Sequence, residues 1–188
     1  MSRRRWLAVG AVAVLALAGF LLFRPDTLFT EVEADESLDE AFAATTTARE
    51  EAGSTTIVAE PASTTASPTV TTTPVAPVEP AQVATGQFFG IDHSAEGTAA
   101  VYEQDGDFVL RFEDDTDIQN GPDLYVWLLA DTSYQSGAPD EYIDLGLLKG
   151  TVGGQNYQLP DEFDPAVHRA VLIWCLRFAV PFAAASLQ

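Results

Sequence analysis

The chain has 188 residues, 47% hydrophobic and 20% charged, with a formal net charge of -19. That suffices for one domain with a real core plus extra segments. It excludes nucleic-acid binding through phosphates, because Lys and Arg are too few to replace counterions. The same charge repels anionic headgroups everywhere except at the first few residues.

Residues 1–5, Met1-Ser2-Arg3-Arg4-Arg5, form a basic start. Trp6 to Phe23 then runs without a charge. A helix over residues 6–23 covers about 27 Å, close to a hydrocarbon core. Arg24 and Pro25 close the run. A cleaved signal has a shorter apolar core, of roughly 7–15 residues. Ala16-Leu17-Ala18 fits a cleavage site, but Gly19 to Phe23 continue the run beyond it. The run reads as an uncleaved, single-pass signal anchor, and the lack of a cysteine behind it excludes a lipoprotein anchor. Three arginines before it and one after place the N-terminus in the cytoplasm and the rest outside. The expected localisation is the cell membrane, with an extracytoplasmic C-terminal domain.

Residues 24–84 read as a disordered stalk. Asp26 to Glu51 carries nine acids and one arginine. It permits a short helix around Leu38 to Ala44 but offers nothing that could bury a core. Ala52 to Pro80 is rich in Thr, Ser, Pro, Ala and Val and lacks aromatics, as in Thr71-Thr72-Thr73-Pro74-Val75-Ala76-Pro77. Pro favours extended backbone, so this part reads as a linker that could carry O-linked sugar. As a coil the stalk would hold a domain on the order of 45 Å from the membrane.

Residues 85–188 are the folded domain. Strand signals recur at close spacing, which predicts an all-β antiparallel sandwich. The candidates are Gly86–Ile91, Gly97–Tyr102, Phe108–Phe112, Asp123–Leu129, Tyr142–Leu148, Gly154–Leu159 and Val180–Leu187. Phe108, Leu110 and Phe112 should point inward. Asp105-Gly106 marks a turn. Asn120-Gly121-Pro122-Asp123 launches a strand, and Gly146, Gly150, Gly153 and Gly154 suggest bulges and tight turns.

Ala170 to Phe178 is the most apolar run and holds the only cysteine, Cys175. It reads as a central strand buried on both faces. Alternation puts Val171, Ile173, Cys175 and Arg177 on one face, and Leu172, Trp174, Leu176 and Phe178 on the other. Two readings of the cysteine stay open. A free cysteine often serves as a small buried hydrophobe. A lone thiol in an exported domain also suggests a partner thiol, a cofactor or a reactive site, and Arg177 on its face could favour the thiolate.

Several separated stretches together resemble the DM-thirteen electron-transfer domain. They are Gly86-Gln87-Phe88 with His93 and Gly97, Asn120 to Val126, Asp144 to Gly150 leading to Gln155 to Pro160, and Val171 to Cys175 with Phe178. The resemblance spans Thr85 to Leu187. Ala179 to Ala185 departs from it by lacking a glycine after Phe178. The resemblance implies a redox role centred on Cys175, as a bare thiol or as a ligand to a prosthetic group, with a redox partner protein in the same envelope.

Cys175 is therefore the candidate catalytic residue, and Cys175, His93 and Arg177 are the candidate cofactor-binding set, the cofactor itself being unknown. His168 stands before the Cys175 strand. Covalent c-type haem is excluded because no Cys-x-x-Cys-His site exists. Glu113 to Gly121 is acidic but lacks the EF-hand glycine, so no metal site is assigned. The rival function is a non-catalytic binding or adhesion module for a protein, glycan or cation. A sealed thiol with only aliphatic neighbours favours the rival; a thiol opening into a pocket lined by His93, Arg177 or Trp127 favours redox.

Overall fold

The computed structural model describes residues 31–53 and 79–188. The apolar run 6–23 and residues 24–30 and 54–78 of the stalk lie outside the described residues. Among the described residues no helix is long and apolar enough to cross a membrane.

Among the described residues one helix, α1 (Leu38–Gly53), precedes ten strands. They are β1 (Ala81–Gly90), β2 (Ala95–Glu96), β3 (Thr98–Gln104), β4 (Asp107–Phe112), β5 (Asp117–Ile118), β6 (Leu124–Leu129), β7 (Tyr142–Leu147), β8 (Gln155–Gln158), β9 (Ala170–Cys175) and β10 (Val180–Ser186). Eight of them form one sheet in the order β7-β6-β9-β10-β1-β3-β4-β8, with β2 and β5 in a separate small ladder. Every neighbouring pair is antiparallel.

The fold is all-β and antiparallel, but its halves are not the two separate sheets of a sandwich. β1 is long enough to pair twice. Its residues 81–87 pair with β3, and Phe88 to Gly90 pair with β10. Gly86 sits at that change of partner, where a Cβ would overlap the Ser186 carbonyl oxygen. The sheet therefore curls nearly into a barrel. Side chains span the seam between β7 and β8. The Lys149 N–H, just past β7, meets Gln155 Oε1 at 3.1 Å and Tyr157 Oη at 3.0 Å. Gln155 is fully buried, and its Nε2 donates to the Gly150 carbonyl at 2.8 Å, so its amide is satisfied.

The interior follows the strand alternation. Leu110 and Phe112 are buried in the main core and Phe108 packs against it, together with Val126, Leu128, Val171, Ile173 and Cys175. The opposite faces of β6 and β9 form a second cluster with Trp127, Leu172 and Trp174, against which Tyr134 packs. All six residues of β9 are buried, and β6 and β10 flank it on both sides. The strand ends at Cys175, earlier than its apolar run suggests, because residues 176–179 turn. Leu176 and Phe178 are consequently exposed. Opposite the Tyr125–Trp127 step the β7 register slips, and Gly146 takes a φ of 92° there, which is the bulge its glycine predicts.

Part of the stretch read as stalk lies against the domain. Glu33 bridges Val152 in parallel, and the Ala34 N–H donates to the Val152 carbonyl at 2.8 Å. Ser37 and Glu40 exchange backbone-to-side-chain hydrogen bonds at 3.4 Å, forming a capping box that starts α1. Phe42, on the first turns of α1, is buried.

An ion pair on β4 sets an alkaline limit. Arg111 Nε meets Glu113 Oε2 at 2.9 Å, and Tyr102 Oη donates to Glu113 Oε1 at 2.9 Å. Partial burial, then the Glu113 carboxylate, push the Tyr102 phenol up to about 12 from its ordinary value of 10.0. The folded chain holds this proton more tightly than the unfolded chain. Tyr102 thus contributes stability in full below about pH 10 and loses it as pH rises through about 12. Thermal melts across that window should show the wild type losing stability more steeply than Tyr102→Phe. Equal slopes would remove Tyr102 from the alkaline transition.

Candidate functional site

The turn Asn120-Gly121-Pro122-Asp123 enters β6 at one end of the barrel, with Asp123 at a φ of 54°. Aspartate tolerates this left-handed region better than most residues. β9 arrives at the same end, where Cys175 stands opposite Leu124 on β6 and Val180 on β10. The thiol is fully buried and its Sγ–H donates to the Pro122 carbonyl at 3.0 Å. That contact uses the proton, so it belongs to the thiol and not to the thiolate.

Arg177 reaches the turn from outside. Strand alternation would have set its guanidinium beside the thiol, but β9 stops two residues earlier. The chain swings outward, and Arg177 Nε pairs with Asp123 Oδ2 at 2.9 Å across half-exposed side chains.

His93 comes in on the arm between β1 and β2. The Ile91 N–H donates to the Phe182 carbonyl at 2.9 Å, and the Gln119 N–H donates to the Ser94 carbonyl at 2.9 Å, fixing both ends of the arm. The imidazole stacks on Phe182 with ring centroids 3.6 Å apart and planes 25° from parallel. The same Phe182 ring covers Gly121, where an added Cβ would meet a ring carbon at 2.5 Å. Phe182 belongs to the core cluster that holds Cys175. Cys175, His93 and Arg177 thus converge on one four-residue turn, each touching a different part of it or its Phe182 cover.

Trp127 is not part of this site. It lies on the other face of β6, stacked on Tyr142 at 4.0 Å and on Trp174 at 5.3 Å. His168 precedes β9, at the far end of the strand from Cys175, where its Nδ1 accepts the Asp164 N–H at 3.1 Å. The acidic loop uses its carboxylates internally. Asp115 accepts from the Thr98 N–H at 2.9 Å and the Thr98 hydroxyl at 2.8 Å, and Asp114 pairs with Arg111 at 2.7 Å. Among the described residues, no group of three or more His, Cys, Asp or Glu could hold a metal ion.

Sequence reasoning missed Phe182 and the Pro122 carbonyl. The signal for Phe182 was a lone large aromatic in a small-residue strand, Val180-Pro181-Phe182-Ala183-Ala184-Ala185. A backbone carbonyl carries no sequence signal at all.

These features define an all-β antiparallel, near-barrel domain with one sealed thiol beneath a turn. The family described as Electron transfer DM13 matches residues 87–187, more than half of the chain, and the chain belongs to that family. No curated protein and no solved structure matches it.

Proposed function

We propose that this domain passes electrons through Cys175, acting as a thiol under the 120–123 turn, for a partner protein. Residues 6–23 would tether the chain to the membrane, with the domain outside the cytoplasm. The observation that carries this reading is the convergence of Cys175, His93 and Arg177 on one turn, in a domain of an electron-transfer family.

The chemistry within reach of a lone thiol is a two-electron exchange with a disulfide. The Cys175 sulfur, once deprotonated and uncovered, attacks a disulfide on the partner. A Cys175–partner S–S bond forms, the partner's own S–S bond breaks, and the leaving sulfur takes up a proton. Uncovering requires the turn to lift. What holds it includes the Arg177–Asp123 pair, and exposed pairs of this kind contribute about 0.2–1 kcal/mol. Cys175 is fully buried with its Sγ 3.0 Å from the Pro122 carbonyl, so protein atoms already cover the sulfur in this conformation. The geometry therefore favours a thiol acting alone over a ligand.

Alkylation of the folded chain by iodoacetamide tests the turn as a gate. Native Cys175 should react slowly and completely, and Arg177→Ala should speed the reaction about 1.5- to 5-fold, the factor that 0.2–1 kcal/mol corresponds to. A thiol that reacts only once the domain unfolds would end the redox reading. Full burial of Cys175 favours the second reading, a binding module in which the cysteine is core.

A further inference from the structure

The family-matched domain carries a groove that residues 32–37 fill, and the groove is built from polar groups. Its floor is the 149–156 stretch between β7 and β8. Thr151 and Val152 donate their N–H groups to the Val32 carbonyl at 2.7 and 3.2 Å. The Glu36 N–H donates to the Gly154 carbonyl at 2.9 Å. Gly150 and Gly153 leave space that a Cβ would take from Ala34. Buried Arg111 donates from Nη1 to the Glu36 carbonyl at 2.7 Å, and buried Asn156 donates from Nδ2 to the Ser37 carbonyl at 2.8 Å.

One side chain is read in addition to the backbone. The Glu36 carboxylate accepts from Lys149 Nζ at 3.0 Å and from the Asn156 N–H at 2.8 Å. These contacts join residues 113 to 120 positions apart in the chain. The apolar contact of this segment lies further on, at buried Phe42 of α1. Val32 is exposed, and a cleft of about 530 Å³ opens between the start of α1 and β8, bridged where Thr45 Oγ1 donates to Gln158 Oε1 at 2.8 Å. Within Val32–Ser37 the hold is backbone hydrogen bonds and one carboxylate, which has the character of a bound peptide.

We propose that this groove is a peptide-binding site for an extended segment with a small residue two positions before a glutamate, and that Val32–Ser37 is its ligand in cis. Arg111 is held by Glu113, Asp114 and Asn156 Oδ1, so its Nη1 and the Asn156 Nδ2 present two fixed donors to successive carbonyls of an extended backbone. Gly150 selects the small residue, Gly153 lets that residue's backbone carbonyl come close, and Lys149 with the Asn156 N–H selects the glutamate. The strap competes with any incoming peptide at the effective concentration its tether sets. The proposal is independent of the redox reading, since none of these residues lies at Cys175.

The test uses the full chain and a fluorescent peptide of residues 31–45. Ala34→Leu should release the strap, seen as faster hydrogen exchange at the residue 34 and 36 amides. That chain should then bind the peptide at least about tenfold more tightly than the wild type, whose own strap competes. Glu36→Gln in the strap should act the same way more weakly, and Glu36→Gln in the peptide should weaken its binding several-fold. Equal binding by wild type and released chains, or no binding by the released chain, would overturn the proposal. So would loss of cooperative unfolding in both strap variants, because the strap would then be part of the core.

Discussion

Ile173→Ala should cost about 2–5 kcal/mol of folding stability, the range for truncating a core isoleucine. Ile173 is fully buried on the inner face of β9, opposite Val126 on β6 and Ala183 on β10. Backbone is hydrogen-bonded on both sides, so the sheet has little freedom to collapse into the vacated space. The cost should approach the upper part of that range, and the melting temperature should fall by about 10 °C or more for a domain of this size. Urea unfolding with an unchanged m-value would show that the effect is stability and not a change of state. A cost below about 2 kcal/mol would remove β9 from the centre of the core.

Gly97→Ala should be comparably damaging for a different reason. Gly97 takes a φ of 111°, which side-chain-bearing residues rarely adopt. An added Cβ would also stand 2.5 Å from Thr116 Cα and 2.7 Å from the Asp115 carbonyl oxygen. Strain of about 1–3 kcal/mol and overpacking of similar size act together. The Gly97 carbonyl accepts from the Phe88 N–H at 2.8 Å, so a shift at this point passes directly into β1. β2 and the arm carrying His93 lie immediately before it in the chain, and the His93–Phe182 stack should loosen with it. Urea midpoints report the first effect, and His93 ring resonances report the second. A Gly97→Ala chain with wild-type stability would show that the 113–116 loop yields freely.

Much of the strand layout was legible because apolar alternation and burial are two sides of one fact. Phe108, Leu110 and Phe112 needed only their spacing, and β9 needed only its unbroken apolar run. The end of β9 was not legible. Leu176 and Phe178 look like more strand, and only the turn at 176–179 makes them surface residues. That turn also redirected Arg177, so an inference from alternation named the right neighbourhood and the wrong partner. The strap was hidden for a deeper reason. Residues 32–37 are held by backbone hydrogen bonds and Glu36, and composition reports apolar burial, not main-chain pairing. The one local clue was Ser37-Leu38-Asp39-Glu40, whose spacing is that of a capping box. Closure of the sheet was likewise invisible, because β1 looks the same whether it pairs with one partner or two.

The position of β10 has a consequence for how the chain is made. β9 and β1 belong to one sheet only because β10 lies between them. The β6–β9 group and the β1–β3–β4 group can each begin to pair as they leave the ribosome. Neither can join the other until residues 180–186 have been synthesised. At about 5–20 residues per second, β1 waits roughly 5–20 seconds for its second partner. The thermodynamic toll of closing so long a loop is small, since each doubling of length adds only about 0.6 kcal/mol. The delay matters more. Throughout it, the 88–90 end of β1 presents unpaired N–H and C=O groups, and β9 joins the same hazard as soon as it emerges. A nascent chain of this architecture is most open to pairing with a neighbouring copy in the moments before its final strand arrives.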